Sequence, residues 1–336
     1  MVSYELLDEV CEGRQVEKAT IKEGNFSATV LSLGAVLSEV VVPDRQGKPQ
    51  CVVLHMDKVL DNVTSPHYGQ IIGRFANRIA NGVFSLDGKK YEMEKNDHGN
   101  TLHGASSDFG IHQWRMLPFT DSHSVTLLYQ SADGDGGMPG NLVVTVTYSL
   151  DEEGNLSLKY AARSDKDTPL NLTNHTYFNL SGKGCIEKCR LQLRCPYRLE
   201  VNDKLIPTGT VLPVVGTPFD FTEEKAIGKD INAVGIGYDH CYIIDRAKDG
   251  LAQFGSVYDP ESGIEMKMKT TLPAVQFYSG NFLDGSPKCN GAGKHEGMCF
   301  ETQFYPDSPN HPSFPSCILK AGVSFSSETV YSFTAR

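Results

Sequence analysis

A histidine surrounded by amides and hydroxyls is the feature of this sequence that is best suited to chemistry. Residues 168–182 read TPLNLTNHTYFNLSG, so that His175 stands between Asn174 and Thr176. A free imidazole titrates near ~6.5 and can donate a proton at neutral pH when a carboxylate or a ligand helps to hold that proton. A histidine in a half-buried strand is often only structural, and the polar neighbourhood favours a functional role modestly.

A glutamate far downstream offers the matching base. Glu301 follows the apolar pair Cys299 and Phe300 and precedes a proline-rich loop, a pattern that predicts a position at the end of a strand. Side chains at such positions reach into clefts. A glutamate of ordinary pKa near ~4.3 is a competent base, and partial burial raises that pKa toward neutral pH. Without a partner, Glu301 would be interpreted as an ordinary strand residue.

Five further polar residues lie in contexts that suit a polyhydroxylated ligand. They are Asn77 and Arg78 in GRFANRIANG, His103 in NTLHGA, Asp239 in GYDHCY and Gln276 in PAVQFYSGNF. Glycines beside the first three would let a ligand approach the backbone. The last two place single polar groups in apolar and aromatic surroundings, where buried polar groups need partners. A surface salt bridge explains Arg78 equally well.

The elements that must position these residues are predicted to be β-strands. Alternation of apolar and polar residues recurs from end to end, and the segment 83–91 is typical of a hairpin that turns at Asp87-Gly88. The other alternating segments are 26–31, 124–129, 142–150, 156–162, 191–199, 264–269, 274–278 and 323–334. Many short strands without alternating helices favour an all-β fold of stacked antiparallel sheets. The length permits one large domain or two smaller ones, and because no linker interrupts the strands we expect a single domain of residues 1–336.

Composition excludes several classes of function. The chain has 31 basic and 41 acidic residues and a net charge of -10, without a separate basic run, which argues against a nucleic-acid or membrane-surface partner. It shows neither a signal peptide nor an apolar run of the ~18 residues that cross a bilayer. Nine scattered cysteines fit reduced thiols, so we expect a cytoplasmic protein. Because nucleotide-binding, serine-nucleophile and paired zinc-ligand motifs are missing from the sequence, we expect no cofactor and no metal.

The order of these motifs along the chain resembles that of the aldose 1-epimerases, the galactose mutarotase family. The resemblance covers nearly the whole chain and is carried by the segments 73–82, 100–104, 133–141, 169–182, 206–209, 217–221, 238–240, 276–282 and 301–312. It implies a large antiparallel β-supersandwich whose curved sheet holds a sugar. Ala105, Phe304 and the surroundings of His112 depart from the family pattern, which puts the preferred sugar in question.

The resemblance also implies roles for the candidate residues. His175 becomes the general acid and Glu301 the general base of an aldose 1-epimerase that opens and closes hexopyranose rings such as those of galactose and glucose. The residues that would hold sugar hydroxyls are Asn77, Arg78, His103, Asp239 and Gln276. The expected partner is an aldohexose, and we expect a monomer or weak dimer. Two alternatives stay open, a non-catalytic carbohydrate-binding protein and a hexose-6-phosphate 1-epimerase.

Overall fold

The described part of the chain folds almost entirely into β-strands. The computed structural model describes residues 1–118, 121–245 and 250–336. All paired strands of its sheets run antiparallel. The all-β prediction is therefore confirmed.

Helical structure in these ranges is limited to short 3-10 turns. They are Val59–Thr64, Ala80–Gly82, Ala105–Ser107, Phe109–Ile111, Asp135–Gly137, Ile186–Lys188, Ile227–Lys229, Ile231–Val234, Pro287–Cys289 and Ser308–Asn310. No helix of the described residues is long and apolar enough to cross a membrane.

Nine strands form the largest sheet, which we call the large sheet. In spatial order they are Arg115–Met116, Ser124–Ser131, Leu142–Leu150, Asn155–Ser164, Ser324–Ala335, Ile264–Thr270, Ala252–Tyr258, Arg190–Leu193 and Lys225–Ala226. Side chains along Leu142–Leu150 alternate as the sequence predicts, with Val144, Val146 and Tyr148 fully buried. Their apolar face forms the centre of the core, because alternate side chains of a strand point to opposite faces of its sheet.

Two five-stranded sheets complete the main framework. The N-terminal sheet consists, in spatial order, of Val2–Cys11, Arg14–Glu23, Phe26–Leu31, Leu37–Pro43 and Pro49–Cys51. The other, which we call the cleft sheet, consists of Pro207–Pro213, Tyr197–Val201, Asp239–Ile243, Ala274–Tyr278 and Cys299–Gln303. One apolar cluster contains side chains from all three larger sheets, among them Val30, Val146 and Phe277.

Four short pairs of strands lie in the connecting segments. They are Ile71–Ile72 with Thr173–Asn174, Arg78–Ile79 with Thr101–Leu102, Val83–Leu86 with Lys89–Glu92, and Thr168–Pro169 with Ile318–Leu319. The third pair is the hairpin that the sequence predicts around Asp87-Gly88. The first two pairs bring distant segments of the chain to one end of the cleft sheet.

One predicted strand is wrong. The segment 191–199 is not continuous, because Arg190–Leu193 belongs to the large sheet and Tyr197–Val201 belongs to the cleft sheet. The chain passes from one sheet to the other at residues 194–196. Pro196 has no backbone N–H and cannot donate to a strand ladder, which explains why the pairing stops there.

The packing of the large sheet makes a testable prediction. Leu158 is fully buried in Asn155–Ser164, whereas its neighbour Lys159 is exposed. We expect Leu158→Ala to lower the free energy of unfolding by about 2–5 kcal/mol through lost burial and a residual cavity. Lys159→Ala should change it by less than about 0.5 kcal/mol. Unfolding followed by circular dichroism measures both changes. Equal effects would contradict the assignment of Leu158 to the buried face and Lys159 to the exposed face of this strand.

Candidate active site

The predicted site residues gather in a cleft on one face of the cleft sheet. The cleft has a cavity volume of about 180 Å³ and is open to solvent. Its lining consists of Pro66, His67, Asn77, Arg78, Leu102, His103, His175, Tyr177, Asp239, Tyr278, Phe282 and Glu301. Six of the seven residues singled out in the sequence are among them, and the seventh, Gln276, stands directly behind Asp239.

The imidazole of His175 and the carboxylate of Glu301 face each other across this cleft. Their nearest atoms, Nε2 and Oε1, are 3.7 Å apart. Both residues are buried, with exposed fractions of 5% and 3%. Two titratable groups from distant parts of the chain therefore border one small volume, and both can transfer protons to the same ligand.

Backbone bonds fix the position of His175. It follows the short strand Thr173–Asn174, and its backbone N–H donates to the carbonyl of Gln70 at 2.9 Å while its own carbonyl accepts from Gly69 at 3.1 Å. Its Nδ1 lies 3.6 Å from the Cys299 sulfur, on the side away from Glu301. This leaves Nε2 as the ring nitrogen that faces the carboxylate.

Glu301 is placed by the cleft sheet, although at a different point from the one predicted. It is the middle residue of Cys299–Gln303 and pairs with Gln276 on the adjacent strand, so the predicted position at a strand end is wrong. The strand continues because Thr302 and Gln303 are also buried and paired. Its neighbour Phe300 points to the opposite face, where the apolar core lies.

Desolvation dominates the electrostatics of the facing pair. Burial lowers the pKa of His175 to about 3, with a further contribution from the charge of His67. Burial also raises the pKa of Glu301 well above its usual range, and the nearby Asp239 raises it further. Both shifts favour the uncharged forms in the free cleft, a neutral imidazole and a protonated carboxyl group.

A second carboxylate is held at the edge of the cleft. Asp239 begins the strand Asp239–Ile243, and its Oδ1 accepts a hydrogen bond of 2.6 Å from Gln276 Nε2. Burial raises the pKa of Asp239, while Arg78 and the bond from Gln276 lower it. The Oε1 atom of Gln276 is buried without a hydrogen-bond partner among the described residues. Gln276 thus orients Asp239, which leaves the carboxylate to accept from a ligand.

Asn77 and His103 are joined by two hydrogen bonds, one to the imidazole ring and one between backbone groups. The backbone N–H of Asn77 donates to His103 Nδ1 at 3.1 Å, and the backbone N–H of His103 donates to the Asn77 carbonyl at 3.1 Å. An Nδ1 atom that accepts a hydrogen bond leaves the proton of a neutral imidazole on Nε2. Burial lowers the pKa of His103 well below its usual value, so this ring is neutral and offers the cleft a donor.

Arg78 is neither a surface residue nor unpaired. Its Nε donates to Asp97 Oδ2 at 2.8 Å, with exposed side-chain fractions of only 9% and 15%. Burial opposes the charge of Asp97, but the hydrogen bond and charge of Arg78 lower the pKa of Asp97 overall. The ion pair orients the guanidinium beside the cleft. The predicted contribution of Arg78 to a ligand site is therefore compatible with a salt bridge.

Three of these side chains lie close enough together to be tested as a metal site. The possible ligand atoms of His103, His175 and Glu301 all lie within 4.8 Å of one another. A metal-bound histidine normally donates its other ring N–H to an acceptor. His103 presents its other nitrogen to a backbone N–H instead, so the donor set does not fit a metal ion.

Six residues that line the cleft were not singled out in the sequence: Pro66, His67, Leu102, Tyr177, Tyr278 and Phe282. Tyr177 and Tyr278 lie two positions after His175 and Gln276 respectively, and period-2 alternation could have placed them on the same face as those residues. His67 and Phe282 lie in connecting segments, and no local pattern indicates them. The ring of Tyr177 packs 5.1 Å from that of His175 and 5.9 Å from that of Tyr278.

Known proteins of one family are similar to this chain in sequence. Residues 17–332 match the family described as aldose 1-epimerase. A galactose mutarotase of Sus scrofa is 38% identical over 327 residues, which cover 95% of this chain and 94% of that protein. An aldose 1-epimerase of Escherichia coli K12 is 38% identical over 325 residues, which cover 93% of this chain and 91% of that protein.

The fold is shared as well. The crystal structure of a galactose 1-epimerase from Lactobacillus acidophilus superimposes with a TM-score of 0.89 at 26% identity, and the match covers 100% of this chain and 99% of that one. The galactose mutarotase-like β-fold predicted from the motifs is confirmed.

The raised pKa of Glu301 makes a prediction about stability. In the unfolded chain this carboxyl ionises at its usual pKa, whereas the folded protein keeps the proton to higher pH. The folded state binds more protons in that window, so stability is lost as pH rises through it. We expect Glu301→Gln to raise the thermal midpoint at pH 7, with little change at pH 4. Differential scanning calorimetry measures both.

An exposed glutamate provides the control for this experiment. Glu153→Gln changes the net charge equally at the surface and should leave the midpoint unchanged at both pH values. A Glu301→Gln protein that is less stable than wild type at pH 7 would show that the carboxylate is stabilising in the fold.

Proposed function

The chain belongs to the aldose 1-epimerase family, and we propose that it interconverts the α and β anomers of aldohexoses such as galactose and glucose. As a member of that family it is an isomerase of the mutarotase type. The observation that carries the finer proposal is the 3.7 Å approach of a buried imidazole to a buried carboxylate in a cleft that is also lined by Asn77, Arg78, His103 and Asp239.

Opening a pyranose ring requires two proton transfers at oxygens attached to one carbon. Glu301 takes the proton of the anomeric hydroxyl, while protonated His175 donates to the ring oxygen. The bond between the anomeric carbon and the ring oxygen then breaks, and the anomeric oxygen becomes the carbonyl oxygen of an open-chain aldehyde. After rotation about the bond between the first two carbons, the same residues act in exchanged roles and close the ring as the other anomer. The cycle consumes no net proton.

The starting proton position must change when the sugar binds. In the free cleft desolvation lowers the pKa of His175 and raises the pKa of Glu301, and both shifts favour the uncharged forms. A sugar hydroxyl that donates to Glu301 stabilises its carboxylate, and a ring oxygen beside His175 accepts from its protonated form. Both contacts favour the ion pair, so the proton moves from Glu301 to His175 over the short distance between them. Binding thereby prepares the acid and the base together.

The remaining polar groups match the hydroxyls of a sugar in their hydrogen-bonding character. Asp239 accepts, while Arg78 and the Nε2 atom of His103 donate. Asn77 lines the cleft and also accepts from the backbone N–H of Arg78 at 2.9 Å. Gln276 acts through Asp239, because it bonds to that carboxylate and does not line the cleft. Asn77, Arg78, His103 and Asp239 are proposed to hold the hydroxyls that do not react, and Gln276 is proposed to position Asp239.

The two alternatives from the sequence receive less support. A hexose phosphate is usually held by Arg or Lys side chains, and Arg78 is the one residue of these two types in the cleft lining of the described residues. Arg78 is paired with Asp97, and Arg74 donates to the carbonyls of Pro139 and Gly140 away from the cleft. A non-catalytic binding protein would not need a desolvated acid and base that face each other. We therefore favour the epimerase over both.

Loss of either member of the facing pair should nearly abolish catalysis. We expect His175→Asn and Glu301→Gln each to lower kcat about 10²- to 10⁴-fold, the usual contribution of a positioned proton-transfer group. Polarimetry with freshly dissolved α-D-galactose and α-D-glucose measures the rate above the spontaneous one. Glu153→Gln is the control and should match wild type. Unchanged rates in both variants would refute the assigned roles, and wild type that binds galactose without catalysis would favour the carbohydrate-binding alternative.

The pH dependence of kcat/KM should carry the signature of desolvation. The free enzyme is competent while the pair holds one proton, and a second proton joins only near the lowered pKa of His175, about 3. The acid limb should therefore lie more than one pH unit below the usual histidine pKa of about 6.5. Because the unfolded chain takes up this proton below about 6.5, stability also falls in that range, and circular dichroism at each pH checks the fold. An acid limb near pH 6.5 would contradict the prediction.

A further inference from the structure

His67 is the one histidine of the cleft lining that the proposed mechanism leaves without a role. Its side chain is 33% exposed, and its ring centre lies 5.5 Å from that of His175 and 5.1 Å from that of His103. It therefore borders the space in which the sugar would bind.

Two partners fix the orientation of the His67 ring. Nδ1 lies 2.8 Å from Gln70 Oε1 and 3.3 Å from Asp108 Oδ2. Gln70 donates its Nε2 to the carbonyl of Asn62 at 2.7 Å, which assigns its Oε1 as an acceptor. Since both partners accept, Nδ1 carries a proton. Nε2 makes no hydrogen bond with any described residue and is not enclosed, so it is the nitrogen free to meet a ligand.

Asp108 favours the protonated form of this ring. The carboxyl group is 2% exposed, and its Oδ2, which is 3.3 Å from His67 Nδ1, is buried without a hydrogen-bond partner among the described residues. Its Oδ1 accepts from the backbone N–H of Gly110 at 3.2 Å, which holds it in place. Burial lowers the pKa of His67, but the hydrogen bond and charge of Asp108 outweigh this effect and raise the pKa overall. In the protonated form that this shift favours, both nitrogens carry a proton and Nε2 is a charged donor.

The other groups around His67 do not replace Asp108 as its counter-ion. His103 and His175 face the ring from across the cleft, and burial keeps both neutral. Lys288 is positive and acts against protonation of His67. In the cleft lining, Arg78 is paired with Asp97, and burial favours the neutral forms of Asp239 and Glu301.

We propose that His67 is a further sugar-contacting residue, which donates a hydrogen bond from Nε2 to a ring hydroxyl other than the anomeric one, with Asp108 and Gln70 as the residues that position it. The inference rests on the proposed function, because His175 and Glu301 there engage the ring oxygen and the anomeric hydroxyl. His67 therefore contacts one of the hydroxyls that do not react. A charge-assisted bond of this kind is about twice as strong as a neutral one.

Substrate analogues that lack one hydroxyl test the contact. We expect His67→Gln to lower kcat/KM for D-galactose roughly 10- to 100-fold, the loss of a hydrogen bond to a charged group. Among 2-, 3-, 4- and 6-deoxygalactose, one analogue should lose less than about threefold, because wild type already lacks the bond with it. His123→Gln, at an exposed histidine outside the cleft lining, should behave as wild type with every sugar.

The pH profile of Asp108→Asn tests the charge without removing the ring. This variant should protonate His67 only at lower pH, so its kcat/KM relative to wild type should be lowest near pH 7 and should recover as the pH is lowered toward 5. A merely structural defect would lower the ratio equally across this range. Thermal midpoints of both variants establish that they are folded at each pH used.

The outcomes separate this inference from the proposed function. If wild type does not accelerate mutarotation, the proposed function fails. If wild type is active and His175→Asn is not, but His67→Gln stays within twofold of wild type, only the role of His67 is overturned. Equal losses with all four deoxy sugars, or an Asp108→Asn ratio independent of pH, would overturn it as well.

Discussion

Desolvation of two facing groups is the constraint on which the rest of this structure depends. A carboxylate and an imidazole 3.7 Å apart share a space from which the protein excludes most of the water. Isolated charges are costly in such surroundings, so desolvation favours the uncharged form of each group in the free cleft. The surrounding donors and acceptors then decide whether a ligand can turn this neutral pair into an acid and a base.

The architecture meets this constraint by combining a rigid sheet with interlocked loops. The cleft sheet buries the aromatic face of Phe277 and Phe300, whose rings stack at 5.4 Å, and thereby turns Gln276 and Glu301 to the other face. Asp239 begins another strand of the cleft sheet, whereas the other groups lie in connecting segments and short strand pairs outside that sheet. Hydrogen bonds between segments align them, as in the two hydrogen bonds between Asn77 and His103. The cleft sheet therefore positions one part of the site, and hydrogen bonds between segments position the other part.

Sequence patterns predicted much of this, within physical limits. Alternation correctly located Leu142–Leu150 and the hairpin at Asp87-Gly88, because each has a strong local signal. The N-terminal hairpin went unpredicted, since both of its strands are rich in exposed charged residues. All seven candidate residues lie at or directly behind the cleft, while their catalytic and binding roles remain predictions. His67 could not have been found, because its position depends on Asp108, which only the fold brings beside it.

The backbone of the loops limits how such a site can diversify. His67, Asn77 and His103 all have positive φ angles, of 67°, 67° and 55°, a conformation that is strained for most residues and worst for β-branched ones. Few residue types can therefore replace these three residues without strain, and valine, isoleucine and threonine are the least suitable. Adaptation to a different sugar is left to neighbours with ordinary backbone, such as Phe282 at the rim of the cleft. Laboratory libraries aimed at new substrates would lose fewer folded members if they began there.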